Sequence, residues 1–205
     1  AEIIFFIIPV KYVGKYLEND NFQNRLSILG LPLKEMSSGG IFKEIIIGVL
    51  FGIGGALLIP LVQQAILFIM SLFVDLNILE EITMPGSQLE GALGSAGIGL
   101  IITLVIVMLV VIGPSEEILF RGFMQKGLVR NLGRKKGLVL TALIFSLIHL
   151  LNLFFFIAVS PLAFVVAFII SFLPYFVLSL LLGWLFYYRN ENLIAVMLMH
   201  GIYNS

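Results

Sequence analysis

The sequence predicts an all-α fold, a polytopic bundle of transmembrane helices around a polar cavity. Three observations predict it. Of 205 residues, 60% are hydrophobic and 12% charged, against about 25% charged in soluble domains. The apolar runs are about 20 residues long, enough for a helix to cross a ~30 Å hydrocarbon core, and unlike the ~10-residue alternating segments of an outer-membrane barrel. Ionisable residues nevertheless recur inside those runs, where they are costly and by default mark a functional site. Formal net charge is zero and cysteine is absent, which removes disulfides, thiolate metal ligands and cysteine nucleophiles. No repeat, low-complexity tract or soluble segment is apparent, so residues 1–205 are expected to form a single integral-membrane domain.

Taken in order, Ile3 to Val13 holds too few apolar residues to span the core alone. It reads as the tail of a span or a short interfacial helix. The chain opens at Ala1 without a methionine and already apolar, so a preceding portion is expected; Ala1 to Val13 shows no basic n-region or cleavage site of a secretory signal. Gly14 to Lys43 reads as a surface loop, with a turn at Asn19-Asp20-Asn21 and a flexible joint at Ser37-Ser38-Gly39-Gly40. Ile45 to Val74 spans, with a kink at Pro60. Asp75 to Gly91 carries Glu80, Glu81 and Glu90 and no basic residue. Ala92 to Ile112 is the next span, interrupted at Gly113-Pro114. Lys126 to Lys136 concentrates Lys126, Arg130, Arg134, Lys135 and Lys136 without an acid, so by the positive-inside rule it is cytoplasmic and the acidic loop lies outside. Lys11, Lys15, Arg25, Lys34 and Lys43 put the N-terminal loop inside as well. Leu138 to Val159 then runs outward to Pro161. Leu162 to Tyr188 returns, broken by Pro174 and closed by Arg189-Asn190-Glu191-Asn192, and Leu193 to Ser205 begins a final span.

The chemistry concentrates in Pro114-Ser115-Glu116-Glu117-Ile118-Leu119-Phe120-Arg121-Gly122, which sets two carboxylates and an arginine at the end of an apolar run. Both histidines, His149 and His200, also lie inside apolar runs. At 1.5 Å per residue, Glu116 lies ~15 Å from Lys126, His149 ~20 Å from Lys136 and His200 ~12 Å from Asn192. All three therefore fall at similar depth, and Glu116, Glu117, His149 and His200 are expected to share one cavity. Glu117 and Arg121 are i,i+4 in the favourable orientation, so Arg121 neutralises and orients Glu117. His200 and Asn204, and Phe145 and His149, likewise share helix faces. A helix restarting after Gly113-Pro114 would set its positive end beside Glu116.

Each feature has a plainer reading. A lone buried histidine is more often an interhelical hydrogen-bonder, Glu117–Arg121 alone is a helix-stabilising ion pair, and His200 with Asn204 can serve packing. Asn152 reads as a support for His149 or a tolerated polar residue. Trp184, Tyr187 and Tyr188 form an aromatic belt, and Phe154, Phe155 and Phe156 face lipid or fill the core. A small Glu/His proton-coupled transporter is disfavoured by so few spans without a repeat.

Glu-Glu-x-x-x-Arg at Glu116 to Arg121, Phe-x-x-x-His at Phe145 to His149 and His-x-x-x-Asn at His200 to Asn204, in this order on separate spans, resemble the CAAX protease and bacteriocin-processing family, whose best-known members are type II CAAX prenyl endopeptidases. The resemblance covers about residues 113–205. It implies an intramembrane endopeptidase in a bacterial or archaeal membrane, its site facing the cytoplasm. Glu116 and His149 would activate the attacking water, His200 and Asn204 would stabilise the oxyanion, and Glu117 with Arg121 would hold the site. The metal question stays open: zinc is the cofactor to consider, with Glu116, His149 and His200 as candidate ligands, although no His-Glu-x-x-His helix is present. Expected partners are membrane lipid and a lipidated or membrane-bound peptide, prenylated or bacteriocin-like, and no nucleic acid. A non-proteolytic immunity or modulator protein of the same family is the alternative.

Overall fold

The computed structural model describes residues 2–75, 77–79, 97–150 and 161–205, which contain helices and no strand. The principal helices are α1 (Glu2–Val13), α2 (Phe22–Ile28), α3 (Ser38–Ser71), α4 (Ile98–Leu132), α5 (Arg134–His149), α6 (Pro161–Tyr188) and α7 (Ile194–Tyr203). Ser38–Ser71, Ile98–Leu132 and Phe164–Tyr188 are long and apolar enough to cross a membrane. Leu50, Leu57, Leu61 and Phe68 on α3 and Ile98, Ile102, Ile106 and Val110 on α4 are all at least half exposed. Such a surface is unfavourable in water and costs nothing against lipid tails, so the chain is an integral membrane protein.

A short helix, α7, occupies the centre. Ala195, Val196, Met197 and Met199 pack with Leu178, Leu182, Leu185 and Phe186 of α6, Ile59 of α3, Ile118 of α4 and Val10 and Val13 of α1. Small residues let the backbones approach. A Cβ on Gly48 would lie 2.7 Å from Leu198 Cβ and 2.8 Å from the Ala195 carbonyl oxygen, so α3 rests directly on α7. Gly113 of α4 similarly faces Met197 and Gly201 of α7, with the Gly201 amide nitrogen 3.1 Å from where its Cβ would be. That contact brings the Glu116-Glu117 segment beside His200.

The structure departs from the sequence reading at several points. The helix does not stop at Gly113-Pro114: α4 runs unbroken, widened into π-helical turns at Met108–Ile112 and Ile118–Gln125. Pro114 has no N–H to donate, and beside it the Ser115 hydroxyl bonds back to the Val111 and Ile112 carbonyls, at 2.7 and 3.1 Å. The expected helix N-terminus beside Glu116 is therefore not formed. Pro174 likewise does not break its helix, which is continuous from Pro161 to Tyr188, as is often the case where neighbouring helices compensate the lost bond. Ser37-Ser38-Gly39-Gly40 is a helix start and not a flexible joint, because the Ser37 hydroxyl caps α3 by accepting from the Gly40 N–H at 3.1 Å. The Asn19-Asp20-Asn21 turn leads into α2, capped by Asn21 through the Asn24 N–H at 2.9 Å. The span read as Leu138 to Val159 is helical as far as His149. Its remainder, with Asn152, Phe154, Phe155 and Phe156, lies outside the described residues, as do Glu80, Glu81 and Glu90.

Gly48→Ala is expected to destabilise the fold by about 1–3 kcal/mol, through overpacking against Ala195 and Leu198. Gly54→Ala, whose Cβ would meet no atom within 4 Å, serves as the control. Thermal unfolding in detergent micelles checks the difference, and equal transitions for the two variants would contradict the close α3–α7 contact.

Candidate functional site

One face of α4 carries three polar residues at four-residue steps, Glu117, Arg121 and Gln125, all with no solvent exposure. An unpaired charge so placed costs several kcal/mol. Arg121 Nη1 donates to Glu117 Oε1 at 2.8 Å, and Arg121 Nη2 donates to the Ser179 hydroxyl and carbonyl of α6, at 2.7 and 3.1 Å. One step along, Gln125 Nε2 donates to the Gly183 carbonyl at 3.1 Å. Helices α4 and α6 thus lie side by side in the same direction, a four-residue step on one matching a four-residue step on the other. The Arg121 guanidinium also lies over the Phe145 ring, 4.7 Å from its centroid.

From α7, His200 reaches the same carboxylate, its Nδ1 2.6 Å from Glu117 Oε1. A carboxylate that already accepts from Arg121 is an acceptor for this nitrogen too, so Nδ1 carries the hydrogen and Nε2 is turned the other way. His149 is held alike: Nδ1 lies 2.8 Å from the Phe145 carbonyl, which can only accept. Its ring is clamped between Phe145 of α5 and Tyr175 of α6, with centroids at 4.2 and 4.7 Å.

Both outward nitrogens aim at one atom. His149 Nε2 and His200 Nε2 each stand 3.7 Å from Glu116 Oε2. That separation is too long for a direct hydrogen bond and suits a polar atom shared among the three groups. The cluster opens on the His149 side, since the His149 side chain is 23% exposed, that of Glu116 9% and that of His200 1%.

Glu116, Glu117, Arg121, His149 and His200 therefore meet, from three helices. Asn204 stands one turn beyond His200 and lines, with Ile101, Leu104, Val105 and Met108, a cavity of about 220 Å³ to which no member of the cluster contributes. Sequence reasoning missed Tyr175, Ser179 and Gln125. Their signal was present: Tyr175, Ser179 and Gly183 repeat at i,i+4,i+8 on an otherwise apolar helix, the same spacing as Glu117, Arg121 and Gln125.

Two imidazole nitrogens and a carboxylate make a donor set that zinc accepts. Among the described residues, however, no three such groups stand close enough together to hold a metal ion. Glu116 would also have to serve as ligand and proton acceptor at once.

Arg121→Leu is expected to cost about 3–5 kcal/mol of stability, because it leaves Glu117 buried without its cation. Adding Glu117→Gln to that variant is expected to recover part of the loss, as judged by thermal unfolding of both variants. No recovery would mean that Arg121 acts through packing alone.

In comparison with known families, the family described as type II CAAX prenyl endopeptidase Rce1-like matches over residues 98–205. No curated protein and no solved structure matches the chain. The matched region runs from the start of α4 to Ser205 and contains every member of the cluster, and the chain belongs to this family.

Proposed function

We propose that this family member is an intramembrane endopeptidase that hydrolyses a peptide bond of a membrane-associated substrate with a water activated by Glu116 and His149. The observation that carries the reading is the convergence of His149 Nε2 and His200 Nε2 on Glu116 Oε2. A water shared by these groups gives its proton to Glu116 as its oxygen bonds to the scissile carbonyl carbon. The carbonyl electron pair moves onto oxygen. His200, held through Nδ1 by Glu117, turns Nε2 toward that oxyanion to stabilise it, with Asn204 as a further donor. Collapse breaks the C–N bond, and the proton taken from water passes to the leaving amine through Glu116 and His149. Arg121 holds Glu117 in place, as the third member of a triad orients its histidine. Burial of Glu117, Arg121 and His200 supports the reading, because fixed donors in a water-poor site stabilise developing charge best.

The substrate is a lipidated or membrane-bound peptide, either a prenylated C-terminus or a bacteriocin-like precursor, which reaches the cluster from its open His149 side. The family match does not favour the non-proteolytic immunity reading. In this proposal the basic Lys126 to Lys136 segment, and with it the mouth of the site, faces the cytoplasm of a bacterial or archaeal cell, and residues 1–205 act as one domain.

Glu116→Gln and His149→Ala are each expected to lower cleavage of a membrane-bound peptide in proteoliposomes by about 10²–10⁴-fold with the fold intact. Full activity in both variants would sink the protease reading. Activity is expected to survive exhaustive chelation; loss on chelation with recovery on added zinc would replace this water-activation scheme by a metal-dependent one. Because the chain has no cysteine, orientation is checked by single substitutions. Lys135→Cys is expected to react with an impermeant thiol reagent only from the cytoplasmic side and Glu90→Cys only from the opposite side.

A further inference from the structure

Away from the cluster, a cavity of about 920 Å³ opens where the end of α1 and the turn Gly14–Tyr16 meet the last two turns of α4. Tyr12, Tyr16, Phe123, Met124, Gly127 and Arg130 are among its lining residues, and none of the lining residues is acidic. Its walls are graded. Phe123, packed edge-on against Tyr12 at 5.3 Å, and Met124 lie toward the apolar part of α4, and Arg130 lies in the last turn. The seven-residue step from Phe123 to Arg130 corresponds to ~10 Å along the helix. The cavity therefore passes from hydrocarbon depth to the membrane surface.

The cations around it differ in how they are committed. Lys126, which lines an adjoining pocket, donates to the Ile28 carbonyl at 3.0 Å and pairs with Glu191 at 3.1 Å. Lys15 stands over the Tyr12 ring, 5.1 Å from its centroid, and Arg134 over the Tyr187 ring at 4.8 Å. Arg130 is exposed and forms no ion pair with any described residue. Beside it, the Tyr12 and Tyr16 hydroxyls lie 3.1 Å apart and still offer a donor to a ligand.

We propose that this cavity binds an anionic phospholipid, with the phosphate at Arg130 and the tyrosine hydroxyls and the first part of the acyl chains along Phe123 and Met124. The graded lining matches a phospholipid in polarity and direction, and the guanidinium supplies the complementary charge. The floor belongs to α4 and the wall to α1, so the lipid also bridges the N-terminal helix to the helix that carries the carboxylates. This proposal is independent of peptide cleavage.

Native mass spectrometry of the full chain released from detergent micelles tests it, with phosphatidylglycerol, phosphatidylcholine and inorganic phosphate titrated separately. A single phosphatidylglycerol adduct is expected, with phosphatidylcholine retained more weakly and inorganic phosphate neither bound nor competing. Arg130→Gln is expected to weaken the adduct about fivefold, the worth of one cation at a membrane surface. Gly127→Trp, placed where an added Cβ meets no atom within 4 Å, is expected to abolish the adduct by filling the cavity while keeping every charge. Lys135→Gln, an exposed cation that does not line the cavity, is expected to leave it unchanged. Equal retention of the two lipids, an unaltered adduct in both Arg130→Gln and Gly127→Trp, or equal losses in Arg130→Gln and Lys135→Gln would overturn the proposal. So would a lipid-free dimer lost in Gly127→Trp, which would assign the cavity to a second copy of the chain.

Discussion

A fully buried carboxylate, Glu117, makes demands that the surrounding helices meet jointly. Left alone in an apolar interior it would cost more than the fold can offset. Arg121 neutralises it from one turn along α4, and His200 shares it from α7. Arg121, equally buried, is held further by the Ser179 hydroxyl and carbonyl of α6 and by the Phe145 ring of α5. One charge thus links four helices, and moving any of them by an ångström or two would expose or orphan a group in the chain. Between helices in lipid there is little hydrophobic force to set register, so such polar contacts carry more of the specification than they would in a soluble core.

The adjacent carboxylate has a different task because consecutive helical residues point about 100° apart. Glu117 is turned into the packed seam of α4, α6 and α7, and Glu116 is turned toward the space between His149 and His200. The π-helical turns on either side of Gly113–Glu117 belong to this division. Each widened turn shifts the helix face relative to an ideal α-helix, and such turns concentrate at functional sites. The glycine contact of α4 with α7 sets the distance, since a larger residue at 113 would push His200 away from both carboxylates.

Around this centre runs an aromatic shell. Phe5 of α1 meets Phe120 at 6.2 Å, Phe120 meets Phe145 at 4.9 Å, and Phe145 meets both histidines. The N-terminal helix is thereby in contact with the site through one ring. The shell also fixes imidazole orientation, which hydrogen bonding at Nδ1 leaves free to rock.

Composition and run length determined the helical membrane fold, because crossing a hydrocarbon core demands about 20 apolar residues per helix. Charges within those runs stood out for the same reason, and equal depth from the basic loops brought Glu116, His149 and His200 together before any coordinates. The pairing of Glu117 with Arg121 was legible because it is local, four residues on one helix. What only the tertiary structure decided was non-local. Tyr175, Ser179 and Gly183 mark one face of a helix that is apolar nearly all round, but their spacing does not say which neighbouring helix that face meets. Whether Pro114 and Pro174 break their helices depended on the packing of neighbouring helices, not on proline itself. The separation of Glu116 and Glu117 into a cavity-facing and a seam-facing carboxylate depended on two widened turns and a glycine contact, and these exist only once α7 is packed against α4.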